Sequence, residues 1–152
     1  MWDKLVLDLA VALRGQEVRI FVLEDDPIRI QWFREKFFGH DLTLVSSCKD
    51  VFQFKAPYDL VLLDHDLGDN TITGVMGIDY PDNGYTFVQA LDAKGALDGL
   101  ACPMIIHSYN ATGAQRMAET LIALHKEAAY MPYRGNMFNH FLDLFLQKGE
   151  GK

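Results

Sequence analysis

The run Tyr58-Asp59-Leu60-Val61-Leu62-Leu63 is nearly continuous apolar sequence, bounded by Pro57 before it and Asp64 after it. A strand with one wet face alternates apolar and polar residues. One that stays apolar is buried on both faces, as in parallel sheets covered by helices. Val18 to Leu23 and Pro103 to His107 are two further runs of this character, and each ends abruptly in polar residues.

Helical spacing fills the intervals. Pro27 opens one helix, with Asp26 as its N-cap and Ile28, Ile30, Trp32, Phe33 and Phe37 inside it. Leu42 to Val45 reads as a second strand, followed by Ser47 and a short helix around 49–54. Asn83-Gly84 precedes a helix running to about Leu97. Asn110 to about Lys126 forms another, with Met117, Leu121 and Leu124 on one face. Ala129 to Tyr133 is a short strand, and Met137 to Leu146 a closing helix. Right-handed crossovers turn this alternation into an α/β fold: a five-stranded parallel sheet with helices on both faces. Residues 67–82, rich in Gly, Asp, Asn and Thr, are expected to be a long loop, a candidate lid. Trp2, Leu5, Val6, Leu9 and Leu13 predict an amphipathic N-terminal helix stopped by Gly15. It would be a core-packing helix or a homodimer face. The expected organisation is a helical extension over 1–16 and one domain over 17–152.

Charge restricts the partners. The 152-residue chain carries a net charge of −7, which disfavours an extended nucleic-acid surface or an acidic membrane. No run approaches the ~20 apolar residues that cross a bilayer. Asp3 and Asp8 interrupt any secretory layout at the N-terminus. Cys48 and Cys102 lack CxxC spacing, so reduced thiols and a cytoplasmic location are expected.

Two histidines follow apolar strands: His65 in Leu63-Asp64-His65-Asp66-Leu67-Gly68, and His107 in Ile105-Ile106-His107-Ser108-Tyr109-Asn110. Open parallel sheets bind ligands at the carboxyl ends of their strands. Two groups that change charge near neutral pH suggest an acid–base pair there. Asp64 and Asp66 flank His65, and either can orient its ring only if the strand has broken by Asp64. His107, next to Ser108 and near a helix cap, is expected outside the core. Ser108, Asn110, Thr112 and Gly113 at that helix start form a candidate phosphate seat. Glu24, Asp25 and Asp64 are three carboxylates at neighbouring strand ends, suited to Mg²⁺. The alternative is mutual repulsion relieved by Arg134, a lysine or raised pKa values. His40, His125 and His140 read as turn or solvated positions.

The order of acids and strands resembles the response-regulator receiver domain over about residues 17–148. Glu24 and Asp25 match its metal-binding acidic pair, Asp64 its phosphoacceptor, and Ser108 the hydroxyl residue ending its fourth strand. Receivers carry a lysine after the fifth strand, usually before a proline. Ala128 to Arg134 contains none, although Arg134 could supply charge. Leu-Asp-His-Asp-Leu-Gly at 63–68, His-Ser-x-Asn-x-x-Gly-x-x-x-Met at 107–117 and Asn83-Gly84-Tyr85 look like the cyclic-phosphate-processing receiver family. That resemblance implies a phosphoesterase for a small cyclic phosphate, a nucleotide or an RNA end. It would use His65, His107, Asp64 and Asp66 for chemistry, and Ser108, Asn110, Thr112, Gly113 and Arg134 for binding. The alternative is a degenerate receiver that recognises a partner or nucleotide without turnover.

Overall fold

The computed structural model describes residues 17–73 and 78–146, so the extension expected over 1–16 lies outside the described residues. Five parallel strands, β1 (Arg19–Leu23), β2 (Asp41–Val45), β3 (Leu60–Leu63), β6 (Met104–Ile106) and β7 (Ala128–Tyr130), form one sheet in the order β2-β1-β3-β6-β7. Four helices flank the sheet, α1 (Pro27–Lys36), α2 (Gly84–Ala93) and α3 (Ala111–Ala123) between strands and α4 (Asn136–Phe145) after β7. Cys48–Gln53 forms a 3-10 helix.

Side-chain alternation divides the core in two. Val22, Leu62 and Ile105 face α1 and α4, packing on Phe33, Phe37, Phe138 and Phe145. Leu23, Leu63 and Ile106 face the other side, against Phe87, Leu91, Met117 and Leu121 of α2 and α3. Both faces of β3 are therefore covered, which accounts for its unbroken apolar sequence. Asp26 caps α1 as its sequence implies, accepting the Ile28 and Arg29 N–H groups with Pro27 at the first turn. Asn83 and Asn110 cap α2 and α3.

Three expectations are corrected. Residues 67–82 are not a plain loop: β4 (Asp66–Thr73) pairs antiparallel with β5 (Asp79–Asn83). The polar composition reads as loop, but the β-branched stretch Thr71-Ile72-Thr73 opposite Asp79-Tyr80-Pro81 favours a pleated ladder. α2 stops at Ala93 rather than near Leu97, because Gly95 turns the chain into the left-handed region. His125 also has a positive φ and lies beyond the end of α3 rather than on it.

Gly84 positions α2 against the carboxyl edge of the sheet. A Cβ on this residue would fall 2.0 Å from the Asp64 carbonyl oxygen. The helix start can approach the end of β3 only because the side chain is missing.

Candidate functional site

The register of the sheet assembles a buried polar row. Leu23 pairs with Leu63 and Leu63 with Ile106, so the next residues along, Glu24, Asp64 and His107, stand side by side. They share the alternation of Val22, Leu62 and Ile105 and therefore point toward α1 and α4. All three are buried, and a donor atom from each lies within 4.8 Å of the others, close to the spacing of adjacent strands.

His107 is fully enclosed, its ring packed against Phe33, Tyr133 and Phe138. Nε2 lies 2.9 Å from Glu24 Oε1, and Nδ1 has no hydrogen-bond partner. Burial pushes its pKa down to about 4, against the attraction of Asp64. The ring is therefore neutral and donates Nε2–H to Glu24. The expectation of a solvent-facing His107 is overturned, since its place in the alternation puts it in the aromatic core.

Glu24 is equally enclosed. Its Oε2 accepts the backbone N–H groups of Asp25 and Asp26, each at 3.1 Å. Arg29 completes the network, with Nη1 3.6 Å from Glu24 Oε1 and 3.9 Å from Asp64 Oδ2. Its guanidinium carbon lies 4.5 Å from the ring centroids of both Tyr109 and Tyr133. Arg29 was not singled out in the sequence. The signal was present: it stands in the first turn of a helix opened by Asp26-Pro27, so it returns over the end of β1. Arg134, a candidate binding residue and one of the ways the acids' repulsion could be relieved, is exposed and lies over Trp32. Met131, before Pro132 where receivers carry lysine, is buried.

His65 occupies the opposite side of the sheet edge. β3 has ended at Leu63, and the Asp64 carboxylate accepts the His65 N–H at 2.8 Å. The ring then turns so that Nδ1 lies 2.7 Å from Asp66 Oδ1. Asn110 Oδ1 caps Gly113 N at 2.9 Å, which directs its amide group toward Asp66 Oδ1 at 3.2 Å. Asp66 is thus an ionised acceptor. Partial burial works against its charge, but the hydrogen bonds from His65 and Asn110 outweigh it and hold its pKa below the usual value. Nδ1–H belongs to Asp66, leaving the Nε2 lone pair free.

The imidazole lies flat on Gly113, where a Cβ would come within 2.6 Å of ring atoms Cδ2 and Nε2. The proposed phosphate seat at the start of α3 is therefore filled by His65 itself. Ser108 is buried, its Oγ accepting the Asn110 N–H at 2.9 Å, and Thr112 is exposed. The two imidazoles do not meet across one pocket: one is against α3, the other beneath Glu24.

A cleft of about 200 Å³ opens above this edge, lined by Asp25, Arg29, Asp64, Asp66, Ser108 and Tyr109 among others. Asp64 is pushed up to about 6, first by burial and then by the neighbouring Glu24 charge. Glu24 and Asp25 are also raised, in both cases chiefly by burial. Three carboxylates with raised pKa values beside one arginine leave negative charge uncompensated, so the donor chemistry fits a hard divalent cation. Glu24 is engaged by two N–H groups, His107 and Arg29, while Asp64 accepts one N–H and pairs with Arg29 at 3.9 Å, so Asp25 and Asp64 are the less engaged carboxylates.

Comparison with known proteins agrees with this architecture. The model of the family described as "Cyclic-phosphate processing Receiver domain" matches residues 20–123. The receiver domain of a sensor histidine kinase from Pseudomonas aeruginosa, solved with a magnesium ion coordinated in its active site cleft, is 18% identical with a TM-score of 0.55; the match covers 85% of this chain and 97% of that one. The signal receiver domain of a Luxo repressor protein from Vibrio parahaemolyticus is 16% identical with a TM-score of 0.53, covering 86% and 89%. A histidine-kinase receiver domain from Syntrophus aciditrophicus is 13% identical at a TM-score of 0.52, covering 89% and 95%. At these identities the likeness concerns the fold. No curated protein matches the chain. Among the described residues no helix is long and apolar enough to cross a membrane.

Proposed function

We propose, since the chain belongs to the cyclic-phosphate processing receiver family, that it hydrolyses the cyclic phosphate of a small nucleotide or RNA end. The observation that carries this reading is the 2.7 Å contact of His65 Nδ1 with Asp66, a residue lining the cleft that also presents Arg29 and Asp64. Water adds to phosphorus while one ring P–O bond breaks, giving a phosphate monoester and a free hydroxyl. His65 Nε2 takes the proton of the attacking water, with Asp66 holding the tautomer and stabilising the imidazolium. Asp64, with its pKa raised to about 6, donates a proton to the leaving alkoxide. Arg29 meets the phosphate oxygens as charge shifts onto them. His107 transfers no proton in this scheme; it holds Glu24.

Asp25 and Asp64 would hold a divalent cation such as Mg²⁺, which supplies neutralisation of the phosphate charge when bound. Such an ion keeps Asp64 ionised, so its acid role belongs to the metal-free protein.

A second reading has one observation in its favour. Arg29 already pairs with Glu24 and Asp64, which suits a receiver-shaped module that recognises a phosphate compound without turnover. The same experiment separates the two. The protein is incubated with 2′,3′-cyclic nucleotides and ADP-ribose cyclic phosphate, with and without Mg²⁺, beside His65→Ala. Turnover that His65→Ala abolishes supports the hydrolase. Absence of turnover, or turnover surviving His65→Ala, removes it.

A further inference from the structure

The cleft leaves part of its ligand unaccounted for. Its volume of about 200 Å³ is below the ~300–1,000 Å³ of pockets that enclose a whole small molecule. It therefore admits a phosphate and its ring oxygens, while the rest of a nucleoside must lie outside the rim. Of the described residues lining it, Tyr109 is the one aromatic side chain. This ring is 65% exposed, yet it is held at two points. The Arg29 guanidinium carbon sits 4.5 Å from its centroid, and its hydroxyl donates to the Tyr133 carbonyl oxygen at 3.3 Å. The guanidinium covers one side of the ring, so the exposure belongs to the other face and the edge. A fixed aromatic plate at the mouth of a phosphate cleft has the geometry of a base platform. Every nucleobase offers a π-face to it, whatever its hydrogen-bonding edge.

We propose that Tyr109 stacks the nucleobase of the substrate while Arg29, beneath the same ring, holds its phosphate, which makes the ligand a nucleoside phosphate rather than a base-less cyclic phosphate. This rests on the cyclic-phosphate reading of the cleft. The hollow on the other side of Asp25, lined by Ser46, Ser47, Lys49, Thr71 and Asp82 with Leu67, carries no ring on which a base could stack. The net charge of −7 favours a free mononucleotide over a long polyanion.

The test is equilibrium binding to the full chain, which needs no turnover. The probes are adenosine 3′-phosphate and the methyl riboside 3-phosphate that lacks the base. The wild type should bind the adenosine compound tighter by on the order of tenfold or more, the usual effect of one base–aromatic stack. Tyr109→Ala and Tyr109→Leu should erase that preference, lowering the affinity for the adenosine compound far more than the base-less affinity, while Tyr109→Phe should keep it. A wild type that binds neither probe, or both equally, overturns the proposal. So does a preference that survives Tyr109→Ala, or a variant that weakens both probes alike, since the ring would then only pack Arg29. A short RNA with a 3′-phosphate, if it binds more tightly than the mononucleotide, overturns the free-nucleotide source. Hydrolysis of 2′,3′-cyclic AMP is measured in parallel. Base preference without turnover refutes the phosphoesterase and keeps the platform, and turnover without base preference does the reverse.

Discussion

His107 Nε2 lies 2.9 Å from Glu24 Oε1, and both side chains are fully excluded from solvent. That contact makes His107 part of the support beneath the cleft. It ties Glu24, which in turn accepts the Asp25 and Asp26 N–H groups and so fixes the backbone that presents Asp25.

Truncating the buried imidazole leaves a cavity and an orphaned Glu24 oxygen. His107→Ala should therefore lose about 3–5 kcal/mol of stability in urea unfolding. His107→Gln, which can still donate to Glu24, should lose less and retain the wild-type pH profile of kcat/KM. Loss of one limb of that profile in His107→Gln would falsify the buried supporting role.

The pH dependence of stability has a definite sign at Asp64. Its folded pKa of about 6 lies above the ordinary carboxylate value of 3.8, so between about pH 4 and 6 the native state keeps a proton that the unfolded chain releases. Its contribution is greatest below pH 4 and is lost as pH rises through 6, by roughly 3 kcal/mol. His107 acts oppositely. Its folded pKa of about 4 lies below 6.5, so its contribution is full above pH 6.5 and is lost as pH falls toward 4. Without metal, Asp64→Asn should match the wild type near pH 4 and exceed it by roughly 3 kcal/mol above pH 6. Urea titrations at a series of pH values measure the difference, and a constant gap across that range would contradict it.

Arg29 is the counter-charge of the cleft, reaching Glu24 at 3.6 Å and Asp64 at 3.9 Å. Arg29→Met keeps hydrocarbon between Tyr109 and Tyr133 but removes the charge. We expect a loss on the order of 3 kcal/mol at pH 7, smaller near pH 4.5, where Asp64 is protonated. Arg29→Lys should not restore stability fully, because an ammonium cannot stack as a flat guanidinium does. Equal losses at both pH values would show that the packing, not the charge, matters.

Much of this was legible in the chain. The apolar run at 58–63, the Asp26-Pro27 cap and the five-fold alternation follow from local rules, and the parallel sheet follows from that alternation; the strand order β2-β1-β3-β6-β7 does not. The orientation of the histidines did not emerge, for a specific reason. The parity of His107 with Ile105 sends it into the α1–α4 core, while its polar neighbours Ser108 and Asn110 suggest an open position. His65 escapes the rule because β3 stops at Leu63, an event set by the Asp64 carboxylate turning back to its own chain. Arg29 is less legible because Asp64, Tyr109 and Tyr133 are distant in sequence, and its place in the first turn after Asp26-Pro27 is the one local clue. The β4–β5 hairpin was masked by turn-like composition.

Gly113 tests the His65 geometry without touching a titratable group. In an ordinary first helical turn, Gly→Ala is stabilising by up to about 1 kcal/mol. Here the new methyl would stand 2.6 Å from ring atoms Cδ2 and Nε2 of His65, closer than non-bonded carbon and nitrogen can approach, and the backbone of α3 is pinned by the Asn110 cap. The softer partner is the imidazole, which must swing off Gly113 and break its 2.7 Å contact with Asp66. Gly113→Ala should therefore keep stability within about 1 kcal/mol of wild type, yet lower kcat/KM nearly as far as His65→Ala. Nitrogen NMR of the ring reads the same event independently of turnover, since losing the Asp66 contact frees Nδ1 and shifts its tautomer balance. Unchanged ring signals and full activity in this variant would mean that His65 does not lie against α3 in solution, and the base assignment would fall with it.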